Sequence, residues 1–282
     1  MKSIREFFDT IRIEHTVFAL PFAYATLFLV EGGWPNPSNF VWITVAMVAA
    51  RTVGMAANRI IDAEIDARNP RTAGRAIPAG RLQRSKAIAF AAVATAVFFA
   101  AVWQLHPVCR ALSPLVLAAM VAYPYAKRFT PLAHVVLGLV YCMIPTAVWL
   151  AVTGEVTTAA VLLGVGAGLW VAGFDIIYAC QDVEVDRREG LHSIPADFGV
   201  VRGLNVASAF HAIFPLCLAV VGSLLSAGPW YYIGVVVTSL LLIYEHRLVK
   251  PNDLSKVNAA FFTTNGIVSI ALFALIAIDT VI

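Results

Sequence analysis

The sequence predicts an all-α, multi-pass membrane protein, and three observations lead to this fold class. Apolar residues make up 60 % of the 282 residues, and the mean hydropathy of +0.80 lies outside the range usual for soluble domains. Hydrophobic runs long enough to cross a bilayer as helices recur along the whole chain. No polar segment is long enough to form a separate soluble domain, so residues 1–282 are predicted to form one domain.

Nine membrane-spanning helices are predicted around a central cavity, and short turns such as "EGGWPNPSN" and "SAGPW" connect them. Before the first span, Ile4, Phe7, Phe8 and Ile11 fall on one helical face, which predicts that residues 1–14 hold an amphipathic helix lying on the membrane surface. The spans are expected at residues 15–31, 39–57, 86–105, 110–125, 132–152, 157–180, 203–225, 229–248 and 257–279.

The basic residues predict how the chain is oriented in the cell (inner) membrane. Of the 20 Lys and Arg, 18 fall in the N-terminal segment and in the loops after the second, fourth, sixth and eighth spans. Arg110 is on the opposite side, and Arg51 falls inside the second span. The positive-inside rule therefore puts the N-terminus and these loops in the cytoplasm and the C-terminus on the other side. Charge distributed in this way indicates membrane topology rather than nucleic-acid binding.

A first acidic cluster follows the second span. Asn58, Asp62 and Asp66 are spaced i, i+4, i+8. On a continuous helix they share one face across an arc of about 80°. The cluster is predicted to sit at the cytoplasmic end of this helix.

A second acidic cluster ends the sixth span. Asp175, Tyr178, Asp182 and Asp186 are spaced i, i+3, i+7, i+11. On a continuous helix the three aspartates fall within an arc of about 40°. It too is expected at the cytoplasmic end of its helix, with Asp175 the deepest of the four residues in the membrane.

Both clusters need a counter-charge. They lie near helix C-termini, where the macrodipole disfavours negative charge, and carboxylates stacked on one face repel one another. Mg²⁺ prefers carboxylate oxygen and bridges protein carboxylates to substrate phosphates. The pattern therefore predicts a divalent-metal site. Ordinary interfacial aspartates capping a hydrophobic span are the alternative interpretation.

Basic residues lie close to both clusters. Arginine suits phosphate because its planar fork donates two parallel hydrogen bonds, whereas lysine acts as a point charge. Their positions in cytoplasmic loops also agree with topology alone. The candidates for phosphate contact are Arg68, Arg71, Arg75, Lys127, Arg128, Arg187 and Arg188.

The chain also repeats part of itself. "RTAGRAIPAG" after the second span corresponds to "RREGLHSIPADFG" after the sixth. The two acidic clusters are four helices apart. We interpret this as a duplicated four-helix unit, each copy of which brings one acidic helix end to a shared central cavity.

With these motifs in order, the sequence resembles the UbiA superfamily of intramembrane prenyltransferases over nearly its whole length. The motif N-x-x-x-D-x-x-x-D begins at Asn58, and D-x-x-Y-x-x-x-D-x-x-x-D begins at Asp175. "YPYAKRFT" and "HSIPADFG" are also similar to family segments. One position departs from the pattern: many members have Asp directly after the motif Asn, and here it is Arg59.

The resemblance implies an activity and a role for each candidate residue. It implies that two Mg²⁺ ions, one at each motif, bind a polyprenyl diphosphate, and that an aromatic ring carbon attacks the allylic cation. The acceptor would be 4-hydroxybenzoate or a naphthoate in ubiquinone or menaquinone biosynthesis. The implied metal ligands are Asn58, Asp62, Asp66, Asp182 and Asp186. The implied substrate contacts are Arg51, Arg71, Arg75, Lys127 and Arg128. The implied catalytic residues are Asp175, Tyr178 and Arg128.

Two alternatives remain open from the sequence. The same fold can use another acceptor, such as haem, chlorophyllide or a lipid glycerol. An internal repeat with charges inside the membrane also suits a secondary transporter. Against the transporter, the charges cluster at one mouth, and apart from Arg51 and Asp175 little ionisable material continues across the membrane. The lipid bilayer is the expected environment, and no obligate protein partner is indicated.

Overall fold

The computed structural model describes residues 6, 7, 10, 11 and 16–282. This part of the chain is helical and has no β-strand. The α-helices are α1 (Thr16–Glu31), α2 (Pro37–Ile61), α3 (Ala63–Arg68), α4 (Arg84–Val102), α5 (Pro107–Ala122), α6 (Ala133–Thr153), α7 (Thr158–Ala179), α8 (Val183–Glu189), α9 (Ile194–Phe198), α10 (Val200–Leu224), α11 (Pro229–Leu248) and α12 (Asn265–Val281). Two 3₁₀ segments, Tyr123–Arg128 and Cys180–Asp182, extend α5 and α7, and a π-helix, Ala259–Thr264, precedes α12.

The multi-pass helical architecture is confirmed. Helices occur at all nine predicted positions, with ends that differ from the prediction by a few residues. In the described part of the chain, seven of these helical segments are long and apolar enough to cross a membrane. α1 is shorter, and α11 carries Glu245, His246 and Arg247 in its last turn. The count of nine crossings therefore stays a prediction.

The most buried helix is α7, because small residues let its neighbours approach closely. Gly168 of α7 faces Gly138 of α6, and a Cβ added to either glycine would lie 2.7 or 2.5 Å from the other's carbonyl oxygen. Farther along this helix, the Trp170 ring stacks between Phe22 and Phe214, with centroids 5.8 and 5.7 Å away. Small residues and aromatic packing, rather than a hydrophobic driving force, hold helices together in a bilayer.

The N-terminal segment packs on the protein where it is described. Phe7 and Ile11 are helical and buried, and they join a cluster with Ala56, Leu82 and other residues. The predicted amphipathic helix over 1–14 lies largely outside the described residues. The described part of its apolar face is covered by protein.

The two acidic motifs are not on continuous α-helices, which corrects the sequence prediction. α2 ends at Asp62, whose φ and ψ are −93° and 4°, and α3 begins after it. α7 gives way to a 3₁₀ turn ending at Asp182, whose φ and ψ are −104° and 2°, and α8 follows. Aspartate competes with helix formation through its side chain, so it favours such helix ends. The matching backbone at Asp62 and Asp182 agrees with the predicted duplication.

Candidate active site

The first helix break is organised around a buried carboxylate. Asp62 is 2 % exposed and accepts hydrogen bonds from Lys127 Nζ at 2.6 Å, Arg128 Nη2 at 3.0 Å and Asn58 Nδ2 at 3.2 Å. Arg59, at the position where many family members have Asp, donates to Asn58 Oδ1 at 3.1 Å. The 3₁₀ segment that follows α5 thus brings its two basic residues directly to the end of α2.

α3 and the loop after it hold the next carboxylate. Arg75 Nη1 lies 2.6 Å from both carboxylate oxygens of Asp66, which is also buried. Thr72 donates its hydroxyl proton to the backbone carbonyl of Asp66 at 3.0 Å. The chain therefore folds back on α3, so that the arginine nine residues along the sequence reaches the motif aspartate.

The second helix break contacts the loop of the first. Arg71 forms a bidentate ion pair with Asp182, Nη2 to Oδ2 at 2.5 Å and Nε to Oδ1 at 3.0 Å. Asn69 Nδ2 donates to the same Asp182 Oδ1 at 3.1 Å. Burial alone would lower the pKa of Arg71, but the hydrogen bond and negative charge of Asp182 outweigh burial and raise that pKa above its ordinary value. Arg71 is therefore fully charged at the site.

Further contacts join the two loops. Arg68 Nε pairs with Glu189 Oε2 at 2.6 Å, and Arg188 Nη2 donates to the backbone carbonyl of Arg68 at 3.1 Å. The backbone N–H of His192 donates to the carbonyl of Lys127 at 2.7 Å. The ends of α2, α5 and α7 therefore meet in one place. This is the convergence that the predicted duplication requires.

The deeper part of the second cluster has a partner that was not predicted. Asp175 Oδ2 lies 2.7 Å from Nδ1 of His134, a buried residue in the first turn of α6. Tyr178 OH instead accepts from Arg71 Nη1 at 2.9 Å, and the Arg71 guanidinium lies over its ring at 5.1 Å. Tyr178 thus belongs with the Asp182 group, while Asp175 forms a separate pair with His134.

The last motif aspartate, Asp186, is partly buried and accepts a hydrogen bond from Ser193 Oγ at 3.2 Å. Ser193 also caps α9 through the backbone N–H of Ala196. Lys127 lies within electrostatic range of Asp186 while bonding Asp62. One lysine therefore lies between the two acidic clusters.

An apolar cavity of about 330 Å³ lies between α2, α4, α5 and α6. Its few polar lining residues include Arg51, Ser113, Tyr141 and Thr146. Arg51 Nη1 donates to the backbone carbonyl of Ile11 at 3.2 Å. This bond joins Arg51 to the N-terminal segment rather than to the acidic clusters. Tyr141 lies within electrostatic range of both Arg51 and Asp175. Among the described residues that line the cavity, Arg51 is the charged one.

Three residues of this site were missed by the sequence prediction. Asn69 and Ser193 are short polar residues in loops, and the loop chemistry of "RNPR" and "HSIPAD" was a signal for their turns but not for their carboxylate partners. His134 lies within the span predicted at residues 132–152, and no pattern in the sequence indicated a role for it in the site. Its contact with Asp175 joins residues 41 positions apart, so it depends on how α6 packs against α7.

Comparison with known proteins agrees with this arrangement. The model of the UbiA prenyltransferase family matches residues 19–267. The 4-hydroxybenzoate octaprenyltransferase of Aeromonas salmonicida is 29 % identical over 262 residues, which cover 90 % of this chain and 89 % of the relative.

Two solved structures share the fold. The apo structure of a UbiA homologue from Aeropyrum pernix K1 is 34 % identical, with a TM-score of 0.86 and coverage of 95 % of this chain and 98 % of that one. A UbiA homologue from Archaeoglobus fulgidus bound to GPP and Mg²⁺ has a TM-score of 0.68 at 18 % identity, covering 96 % and 99 %, and so shows the fold alone. Between the enzyme and the transporter that the sequence left open, the family match decides for the enzyme. The chain belongs to the UbiA prenyltransferase family and is a prenyltransferase.

Proposed function

We propose that this prenyltransferase uses divalent metal to transfer a polyprenyl group from a polyprenyl diphosphate to a ring carbon of a carboxylated aromatic acceptor. One observation carries the proposal: acidic and basic side chains converge where the ends of α2, α5 and α7 meet. The curated relative's name, a 4-hydroxybenzoate octaprenyltransferase, supports the aromatic acceptor and the polyprenyl donor.

The acidic side chains suit Mg²⁺ by their chemistry. The predicted ligands offer only oxygen atoms, and Asp62 and Asp182 occupy equivalent helix breaks. Among the residues that the structure describes, no three acidic, histidine or cysteine side chains form a closed metal cage. Mg²⁺ commonly binds through one or two carboxylates together with substrate phosphates, so an open arrangement suits it. The bound Archaeoglobus fulgidus homologue supports the same ligand pair, GPP and Mg²⁺. The residues that would hold the metal are Asn58, Asp62, Asp66, Asp182 and Asp186.

When bound, the metal supplies positive charge that stabilises the departing diphosphate. The protein's own cations also stabilise the departing diphosphate. Arg71, Arg75, Lys127 and Arg128 each hold a motif carboxylate through an ion pair. A cation paired in this way is already oriented, and it can turn its remaining N–H groups to a phosphate oxygen. Their convergence stabilises charge where the allylic C–O bond breaks.

The acceptor fits beside Asp175. A carboxylated aromatic ring needs a cation for its carboxylate and an acceptor for its hydroxyl proton. Arg51 and Asp175 supply these two groups, with Tyr141 within electrostatic range of both. Haem, chlorophyllide and glycerol phosphate lipids also carry anionic groups, so Arg51 alone does not choose among the acceptors. We favour 4-hydroxybenzoate or a naphthoate because the relative from Aeromonas salmonicida is a 4-hydroxybenzoate octaprenyltransferase.

The apolar cavity suits the isoprenoid chain. Its lining includes Arg51 and Tyr141, and its remaining wall is almost entirely hydrocarbon and sulfur. An apolar wall helps to exclude the water that would otherwise quench an allylic cation. In this proposal residues 1–282 form one catalytic domain of the inner membrane. Its site opens to the cytoplasm, and its product enters ubiquinone or menaquinone biosynthesis.

The proposal is tested with purified protein in lipid nanodiscs, supplied with geranyl diphosphate and Mg²⁺. Parallel reactions contain 4-hydroxybenzoate, a dihydroxynaphthoate, haem, chlorophyllide or a glycerol phosphate lipid, and mass spectrometry identifies the products. We expect prenylated product from one of the two aromatic acids. Product only from another acceptor would overturn the proposed acceptor class.

A further inference from the structure

His134 is a buried histidine in which one ring nitrogen has a hydrogen-bond partner and the other has none. Its Nδ1 lies 2.7 Å from Asp175 Oδ2. Its Nε2 is inaccessible to water and has no hydrogen-bond partner. Only 6 % of the His134 side chain is exposed, against 27 % for Asp175. The histidine thus lies behind the aspartate, on the side facing the protein interior.

The lone Nε2 determines how the ring is protonated. A buried N–H without a hydrogen-bond partner costs free energy, and so does a charged imidazolium with one end unsolvated. Of the possible groups at Nε2, a bare nitrogen lone pair costs the least free energy to leave unpaired. The proton of a neutral ring therefore lies on Nδ1, and His134 donates to Asp175. Asp175 then accepts at Oδ2 as a carboxylate. Its other oxygen, Oδ1, makes no hydrogen bond to the residues described.

We infer that His134 is a positioning residue that fixes Asp175 so that Oδ1 accepts the hydroxyl proton of the aromatic acceptor. The inference rests on the proposed function and adds a residue to it. The His134 bond fixes the side-chain rotamer of Asp175 and engages Oδ2, which leaves Oδ1 for the substrate. A carboxylate held in this way is ready to accept a proton without first reorganising, which is the condition for efficient general base catalysis.

The prenyl transfer begins at the hydroxyl group of the acceptor. The acceptor's O–H bond breaks, its proton binds Asp175 Oδ1, and the electron pair delocalises from oxygen into the ring. The ring carbon forms the new C–C bond, while the diphosphate leaves with the electrons of the allylic C–O bond. The ring hydrogen then leaves as a proton to the diphosphate, and Asp175 returns its proton to the acceptor oxygen. The aromatic phenol is restored and Asp175 is again a carboxylate.

His134 does not relay this proton further. Its Nδ1 already carries a hydrogen, and its Nε2 is enclosed without a partner that could take one. Titratable groups facing the pair from neighbouring elements include Tyr123 and Tyr141, within electrostatic range of Asp175, and Asp186, within range of His134. None of these three is hydrogen-bonded to the pair, so the two side chains act together.

Two substitutions separate this role from a structural one. His134→Phe keeps a ring of similar size and removes the donor, and His134→Asn keeps an N–H near the position of Nδ1. We expect His134→Phe to lower kcat by about 10- to 100-fold, the effect of losing a hydrogen bond to a charged group. We expect His134→Asn to retain kcat within about fivefold, since the donor is kept. Prenyl diphosphate affinity should change less than about twofold in both, because neither removes a phosphate contact.

A double mutant gives a further readout that a purely structural residue would not move. In the Asp175→Asn background, His134→Phe should have little further effect on kcat. If His134→Phe fails to fold, His134→Gln replaces it, since its longer amide cannot donate at the Nδ1 position.

The outcomes distinguish this inference from the proposed function. Absence of prenylated aromatic product with the wild-type protein would overturn the proposed function itself. Wild-type activity together with an unchanged kcat in His134→Phe, or losses that simply add in the double mutant, would overturn the role of His134.

Discussion

Asp62 and Asp182 hold corresponding places in the molecule, and each is predicted to bind metal. Each carboxylate follows a helix break and is held by basic side chains from another segment. Asp62→Asn and Asp182→Asn should each lower turnover by at least ~100-fold, because each removes a metal-binding charge. Steady-state rates and circular dichroism of the purified variants check this.

Two exposed glutamates provide matched controls. Glu64 and Glu184 lie two residues after Asp62 and Asp182, and both are exposed. Glu64→Gln and Glu184→Gln remove the same charge from the same short helices, so they should leave turnover within about twofold, the usual effect of a surface substitution. Equal losses in the glutamate and aspartate variants would mean that net charge, not metal binding, governs the rate.

Asp175 should affect chemistry rather than binding. It lies within α7, whereas Asp182 ends the 3₁₀ turn that follows this helix. Asp175→Asn should lower kcat by ~10²-fold, the effect of losing one positioned acid–base group. Prenyl diphosphate binding, measured by isothermal titration, and the Mg²⁺ dependence should change little. If Asp175→Asn weakens binding as much as Asp182→Asn does, Asp175 belongs to the metal site instead.

The sequence indicated most of the site residues but few of their partners. Asp62, Asp66, Asp182 and Asp186 were predicted because regular spacing on an apolar helix is visible locally. The contact between Asn69 and Asp182 spans 113 positions, and no local pattern encodes it. The helix breaks were missed for a related reason: periodicity assumes a continuous helix, and cations from another segment stabilise the departure from it.

Among the helices, α12 contacts two of its neighbours through Asn265, a buried polar side chain. Asn265 is fully buried at the end of the π-helix, where it accepts from Trp170 Nε1 at 2.6 Å and donates to Glu245 Oε1 at 2.7 Å. It also donates to the carbonyls of Ala260 and Phe261, at 3.1 and 3.2 Å. These bonds connect α7, α11 and α12 at one point.

Asn265→Leu should therefore destabilise the protein by about 2 kcal/mol or more, since it leaves a buried carboxylate and an indole N–H unpaired. Thermal unfolding in detergent measures this as a lower Tm. Ile270→Leu, on an exposed part of the same helix, should leave the Tm nearly unchanged. An unaltered Tm in Asn265→Leu would show that these bonds are replaced by other partners.

The helices themselves were well predicted, because a run of about 20 apolar residues is a strong signal for a spanning helix. The count of nine crossings stays a prediction, and the closeness of helix packing was not predicted. Gly138 and Gly168 illustrate the close packing. No sequence pattern distinguishes these two glycines, but where their helices touch, a Cβ on either one would collide with the other's carbonyl oxygen.

At the scale of the whole molecule, we propose that the converging ends of α2, α5 and α7 bind the diphosphate and that the apolar cavity binds the isoprenoid chain. Ala46 lines the cavity on α2, about 18 Å from Asn58 at ~1.5 Å per residue. Ala46→Phe should narrow the far part of the cavity. The kcat/KM for a long polyprenyl diphosphate should then fall at least ~10-fold while that for geranyl diphosphate changes within about threefold, because overpacking acts only where the chain reaches. Equal losses for both donors would place the chain elsewhere.

The most direct test combines metal, donor and acceptor in one reaction. Purified protein in nanodiscs is given geranyl diphosphate and 4-hydroxybenzoate or a dihydroxynaphthoate, with Mg²⁺ or with excess chelator, and the products are identified by mass spectrometry. We expect a geranylated aromatic acid with Mg²⁺, none with chelator, and recovery when Mg²⁺ is restored. Equal product in excess chelator, or no aromatic product under any condition, would contradict metal-dependent aromatic prenyl transfer by this chain.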